Sequence, residues 1–214
     1  MNHAQHTILF ITGLIAAAGC SSSNTVTGSS NMLPGGMGVV GSVPTDTLVG
    51  STLSITYHVT DANGVALQGA LVRWDLVSGV GALSADSART DASGNAAVVW
   101  TLDTTAGPNR MEARTGLLQG LLLTVDGNPD RPATVHLSSD TLSFNVVGDT
   151  LRLTTRVKDR YGNTIETPGV VWSSANTAVA TVDSAGRVVS RAAGQTLVTA
   201  TADTASSSAV VIVQ

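Results

Sequence analysis

The sequence predicts an all-β protein, two tandem β-sandwich domains after a signal segment and a flexible tether, and three observations predict it. Val, Thr, Ala, Ser and Gly dominate the 214 residues, while Glu occurs twice and Lys once, which is a composition of strands and turns. Apolar and polar residues alternate over short stretches separated by Asp-, Asn- and Gly-containing turns. The second half of the chain repeats the first.

Ile8–Ala18 is an apolar run, too short for a spanning helix, which needs about 20 residues, and of the length of a signal-peptide core. Ala17, Ala18 and Gly19 lead directly to Cys20, the only cysteine. This junction resembles the lipobox of bacterial lipoproteins. The resemblance implies removal of residues 1–19, acylation of Cys20 and a lipid bilayer as partner. Ala17 stands where that pattern usually has a large aliphatic residue, and Met1–Thr7 holds no Lys or Arg. Ser21, in place of an aspartate, implies the outer membrane or cell surface. Residues 20–37 are polar and of low complexity, as in Ser21-Ser22-Ser23-Asn24, and are expected to form a flexible tether. With one cysteine no intrachain disulfide can form, so each domain must hold itself together by burial.

Sliding the chain by 98 positions brings Val49, Gly50, Thr52 and Leu53 onto Val147, Gly148, Thr150 and Leu151. Asp61, Gly64, Val72 and Trp74 fall on Asp159, Gly162, Val170 and Trp172. Further on, Asp91 and Gly94 meet Asp183 and Gly186, and Gly107, Met111 and Ala113 meet Gly194, Val198 and Ala200. The order never breaks, so the halves read as copies of one domain that differ in loop length. Asp126-Gly127-Asn128-Pro129-Asp130-Arg131-Pro132 reads as the junction, because two prolines lack backbone donors. The expected domains are 38–126 and 132–214, joined by a linker over 127–131.

Within the first copy Leu53, Ile55, Tyr57 and Val59 point one way and Thr52, Ser54, Thr56 and His58 the other. In the second, Leu151, Leu153, Thr155 and Val157 are expected to face in, and Arg152, Thr154, Arg156 and Lys158 out. Asp61–Gly64, Asp91–Gly94, Arg160–Asn163 and Asp183–Gly186 supply the turns. Trp74 and Trp172 occupy equivalent positions and are expected in the core, where an immunoglobulin-like sandwich buries its tryptophan. The side taken by Trp100 stays open, since its strand is apolar on both faces.

Asp61–Gly64, Gly69–Trp74, Thr90–Gly94 and Trp100-Thr101-Leu102 together resemble the bacterial immunoglobulin-like (Ig-like) domains of intimin and invasin stalks. Trp172–Asn176, Ala178–Asp183, Gly186 and Gly194–Ala202 resemble the group 2 bacterial Ig-like domains. These resemblances imply two tandem immunoglobulin-like sandwiches acting as spacers, adhesin stalks or modules that bind carbohydrate or protein, and they bring no catalytic residues.

The residues themselves offer little chemistry. Beyond the signal segment only His58 and His136 remain, both on predicted strands, so a usual zinc site cannot be assembled, and a serine triad would need one of them held by a buried carboxylate. No Gly-x-Ser-x-Gly elbow precedes a helix, and Glu112 and Glu166 are the only glutamates, so no enzyme, catalytic residue, metal or cofactor is expected. Calcium takes six to eight oxygens. Turn chemistry accounts for Asp61, Asn63, Asp91, Asp159 and Asp183 without it, and at Asp126, Asn128 and Asp130 the question stays open. The formal net charge of -4, with no Lys/Arg stripe, argues against a nucleic-acid partner. The reading is a non-enzymatic envelope lipoprotein that acts as a structural spacer or adhesion module. The alternative is a glycan- or protein-binding module that serves a larger surface system.

Overall fold

The computed structural model describes residues 33–214. Cys20, residues 1–19 and the tether up to residue 32 lie outside the described residues. The described chain is strand and turn throughout. It divides into two compact units. The first takes the described residues up to Thr45 with Gly50–Asp103 and Pro108–Val125; the second takes Asp46–Val49, Thr104–Gly107 and Asp126–Gln214.

The first repeat contributes β1 (Gly36–Val40), β2 (Asp46–Leu48), β3 (Thr52–Thr60), β4 (Leu71–Ser78), β5 (Ala82–Leu83), β6 (Ser87–Arg89), β7 (Asn95–Thr101), β8 (Gly107–Thr115) and β9 (Leu121–Asn128). They form one sheet of order β1-β3-β7-β5 and another of order β2-β9-β8-β4-β6. The inward residues of both sheets make one core: Ile55, Tyr57 and Val59 of β3 and Val98 and Trp100 of β7 meet Val72 and Trp74 of β4, Met111 of β8 and Val125 of β9. Trp74 is 2% exposed and packs on Tyr57, the ring centroids 6.1 Å apart. Trp100 is wholly buried, which settles the side it takes, and Val99 beside it is exposed. Across the sheet Trp74 faces Ala113, whose small side chain leaves the indole its space.

The second repeat contributes β10 (Pro132–Leu137), β11 (Thr141–Phe144), β12 (Thr150–Arg152), β13 (Thr155–Asp159), β14 (Val171–Ser174), β15 (Ala180–Val182), β16 (Arg187–Ser190), β17 (Gly194–Ala202) and β18 (Ala205–Val213). One layer is the sheet β11-β18-β17-β14; the ladders β10-β13 and β12-β16-β15 lie in the other. The repeat survives in the pairing. Trp172 faces Ala200 as Trp74 faces Ala113, and Val135 faces Val157 as Met37 faces Val59. In each copy the opening segment also changes sheets. β1 and β10 pair antiparallel with β3 and β13, whereas β2 and β11 pair parallel with the last strands, β9 and β18.

The structure departs from the sequence expectation in four places. The stretch matching the unbroken β3 is split into β12, which pairs with β16, and β13, which pairs with β10. The core is split with it, into one cluster around Phe144, Leu153 and Val211 and another around Val135, Val157 and Ala200. Leu151, expected to face in, is 39% exposed as a result. Trp172 is only half-buried, because it packs against both clusters at their join and sits inside neither. Gly36 and Met37, assigned to the tether, are the start of β1. Glycine permits this close approach: a Cβ at Gly35 would lie 2.4 Å from the Ala62 nitrogen. Asp126, Gly127 and Asn128, read as the start of the junction, complete β9 by pairing with Asp46, Thr47 and Leu48.

Candidate interaction surface

The four Asp-Gly turns are built alike. In each, the aspartate Oδ1 accepts the amides two and four residues on. Asp61 takes those of Asn63 and Val65, at 2.8 and 2.9 Å, and Asp91 those of Ser93 and Asn95. Asp159 takes Tyr161 and Asn163, and Asp183 takes Ala185 and Arg187. The glycine amide then donates to the aspartate carbonyl, as Gly94 does to Asp91 and Gly186 to Asp183, each at 3.0 Å. An acidic side chain here is a backbone acceptor that closes a hairpin. Burial acts to raise the Asp159 carboxyl, but hydrogen bonds from the Asn163 side chain and from the amides of Asp130, Asn163 and Tyr161 outweigh it and hold the group below the usual carboxylate range. The amide of Arg187, aided by its guanidinium and by the Ala185 amide, holds Asp183 low as well.

Two of the junction residues have side-chain partners within the protein. Asp130 pairs with Arg160 at 3.0 Å, and Asn128 Nδ2 donates to Asp46 at 3.0 Å. Among the described residues no three His, Cys, Asp or Glu side chains are placed to hold a metal ion. His58 is half-buried, with Nδ1 3.0 Å from Asn95 Oδ1; His136 is exposed on β10. The structure brings none of the sequence candidates together: Trp74 and Trp172 line cores, and Cys20 is outside the described residues. Among the described residues no helix is long and apolar enough to cross a membrane.

What the structure does present is two unlike sheet faces in the second unit. The strands β11, β14, β17 and β18 contain no charged residue. Their outer face is a lattice of hydroxyls and aliphatics, with Thr199 and Ser208 joined at 2.8 Å and with Val171 and Leu197 exposed. The other layer carries the cations. Arg152 and Arg156 are exposed and Lys158 half-exposed, on alternate positions of one stretch whose buried residues are Leu153 and Val157. His136 lies across from Arg156, and Thr134 across from Lys158. Arg156 and Lys158 stand at alternate positions of β13, and Arg152 ends β12.

Residues 133–213 match the family model of the bacterial Ig-like domain (group 2). Over these residues the chain is similar to that family. The resemblance read from Trp172–Asn176 and Gly194–Ala202 is therefore a family match, and the Ig-like domain holds both faces just described. Among solved structures, FdeC, an Escherichia coli adhesin, is 20% identical over 83% of this chain, with a TM-score of 0.55, and this chain spans 63% of that one. That likeness shows the fold. The D00-D0 domain of intimin is 25% identical over 47% of this chain and 51% of its own, with a TM-score of 0.39. The D0-D1 domain of intimin is 22% identical over 78% of this chain and 93% of its own, with a TM-score of 0.36. No curated protein matches the chain.

Proposed function

We propose that this chain is a non-enzymatic interaction module of the cell envelope, held to a membrane by acyl chains on Cys20 and spaced from it by residues 20–37. The match of residues 133–213 to the group 2 family carries the reading. The fold it shares with the E. coli adhesin FdeC supports a place at the cell surface. Chemistry supports it too: the turn carboxylates are spent on backbone amides, and the polar groups left over are spread across sheet faces, a geometry suited to an extended partner. One acyl chain binds a bilayer only marginally, at about 0.8 kcal/mol per buried methylene, whereas two or three anchor stably. Growing cells with labelled fatty acid and fractionating them tests the anchor. Label on the wild type, with loss of both label and membrane association in Cys20→Ser, is expected. An unlabelled wild type released to the medium would contradict it.

A further inference from the structure

We propose that the second unit binds a linear, carboxylate-bearing polysaccharide along Arg152, Arg156 and Lys158; this rests on the interaction-module reading and names its ligand class. Arg152 ends β12 and Arg156 and Lys158 stand two residues apart on β13, so the three cations are strung along at most about 20 Å of chain. A line of charge suits an extended polyanion and not a compact ligand, which needs convergent groups. Among the described residues Arg156 and Lys158 form no ion pair, and Arg152 spends only Nε, on the Ala185 carbonyl at 3.3 Å. Two acids border these cations, Asp183, which pairs with the Arg187 opposite Arg152, and Glu166. Thr164–Glu166 runs beside β13 through the Ile165 amide, which donates to the Val157 carbonyl, yet Glu166 forms no ion pair with the stripe. The charge of the three cations is thus largely uncompensated on this face.

The surroundings select among polyanions. His136, Thr134, Ser138 and Thr154 place a ring nitrogen and hydroxyls beside the cations, groups that meet sugar hydroxyls as well as carboxylates. A guanidinium fork matches a carboxylate with two parallel hydrogen bonds. β10 and β13 expose no aromatic ring and no large aliphatic side chain. On these two strands, bases of a single-stranded nucleic acid would find no ring to stack on, and a membrane would receive no large side chain to insert; the exposed Leu151 and Tyr161 lie outside them. The charge-free face of β11, β14, β17 and β18 leaves the stripe as the concentrated positive charge of this sandwich.

The test is titration of the full chain with polygalacturonate, with neutral dextran, phosphatidylglycerol vesicles and oligo(dT) as parallel probes. Polygalacturonate is expected to bind, and three contacts give a log–log salt slope of about -2. Arg156→Gln with Lys158→Gln should weaken it at least tenfold. Arg156→Lys with Lys158→Arg should retain it, which separates charge from folding, and Arg110→Gln in the first unit should leave it unchanged. Absent binding, or binding indifferent to the Gln pair, overturns the proposal while leaving the envelope reading standing. Equal binding to vesicles or oligo(dT) overturns the choice of glycan.

Discussion

Gly186 carries two duties that can be separated by substitution. Its φ of +75° is left-handed, and a Cβ there would lie 2.4 Å from the Leu153 carbonyl oxygen and 2.8 Å from Trp172 Cζ2. Forcing an L-residue into that conformation costs about 1–2 kcal/mol. Overpacking against a backbone carbonyl and an indole costs about 1–3 kcal/mol more. Gly186→Ala should therefore destabilise the second unit by about 2–5 kcal/mol. Gly162, in the sister turn, has φ +89° and nothing within 4 Å of its would-be Cβ. Gly162→Ala should thus pay the conformational cost alone, about 1–2 kcal/mol. Urea unfolding of the full chain measures both, read by the fluorescence of Trp172, the one tryptophan of its unit. Equal shifts for the two variants would refute the claim that the turn is pressed against the Leu153 carbonyl and the Trp172 indole.

Trp74→Ala should cost the first unit about 3–5 kcal/mol. Trp172→Ala should cost its unit about half as much, since that indole is half-buried, and comparison of the two unfolding midpoints decides it. Asp159 and Asp183 are held below the usual carboxylate range, so their contribution is present above the unfolded value of about 3.9 and is lost as pH falls through the folded values. The urea midpoint of the second unit should be level from pH 7 to 5 and fall below about pH 4, more steeply than in Asp183→Asn; a midpoint that rises on acidification contradicts this. Because each turn Oδ1 already accepts two amides, the melting temperature should be the same in EDTA and in millimolar calcium, and a rise of several degrees with calcium would locate a site that the turns do not explain.

What could be read from the sequence was local. Asp-x-x-Gly specifies its own turn, because the carboxylate and the glycine act within five residues. The repeat placed Trp74 and Trp172 at matching positions, and both face an alanine. What escaped depends on the neighbouring strand. Leu151 alternates correctly with Leu153 and Val157, yet the chain leaves one ladder for another between β12 and β13, and alternation does not say which partner a strand takes. Gly36 and Gly127 have no side chain to show a pattern, so the strands they belong to read as tether and linker. Arg152, Arg156 and Lys158 were visible as outward residues. That His136 lies opposite Arg156, and that no acid pairs with Arg156 or Lys158, required the register of β10 on β13.

Display of the Ig-like domains outside the cell is the claim on which the proposed function depends, and protease treatment of intact cells tests it most directly. The account predicts that added protease removes the chain from intact cells while an acylated stub at Cys20 stays in the membrane fraction. Protection of the whole chain until the cells are broken open would contradict it.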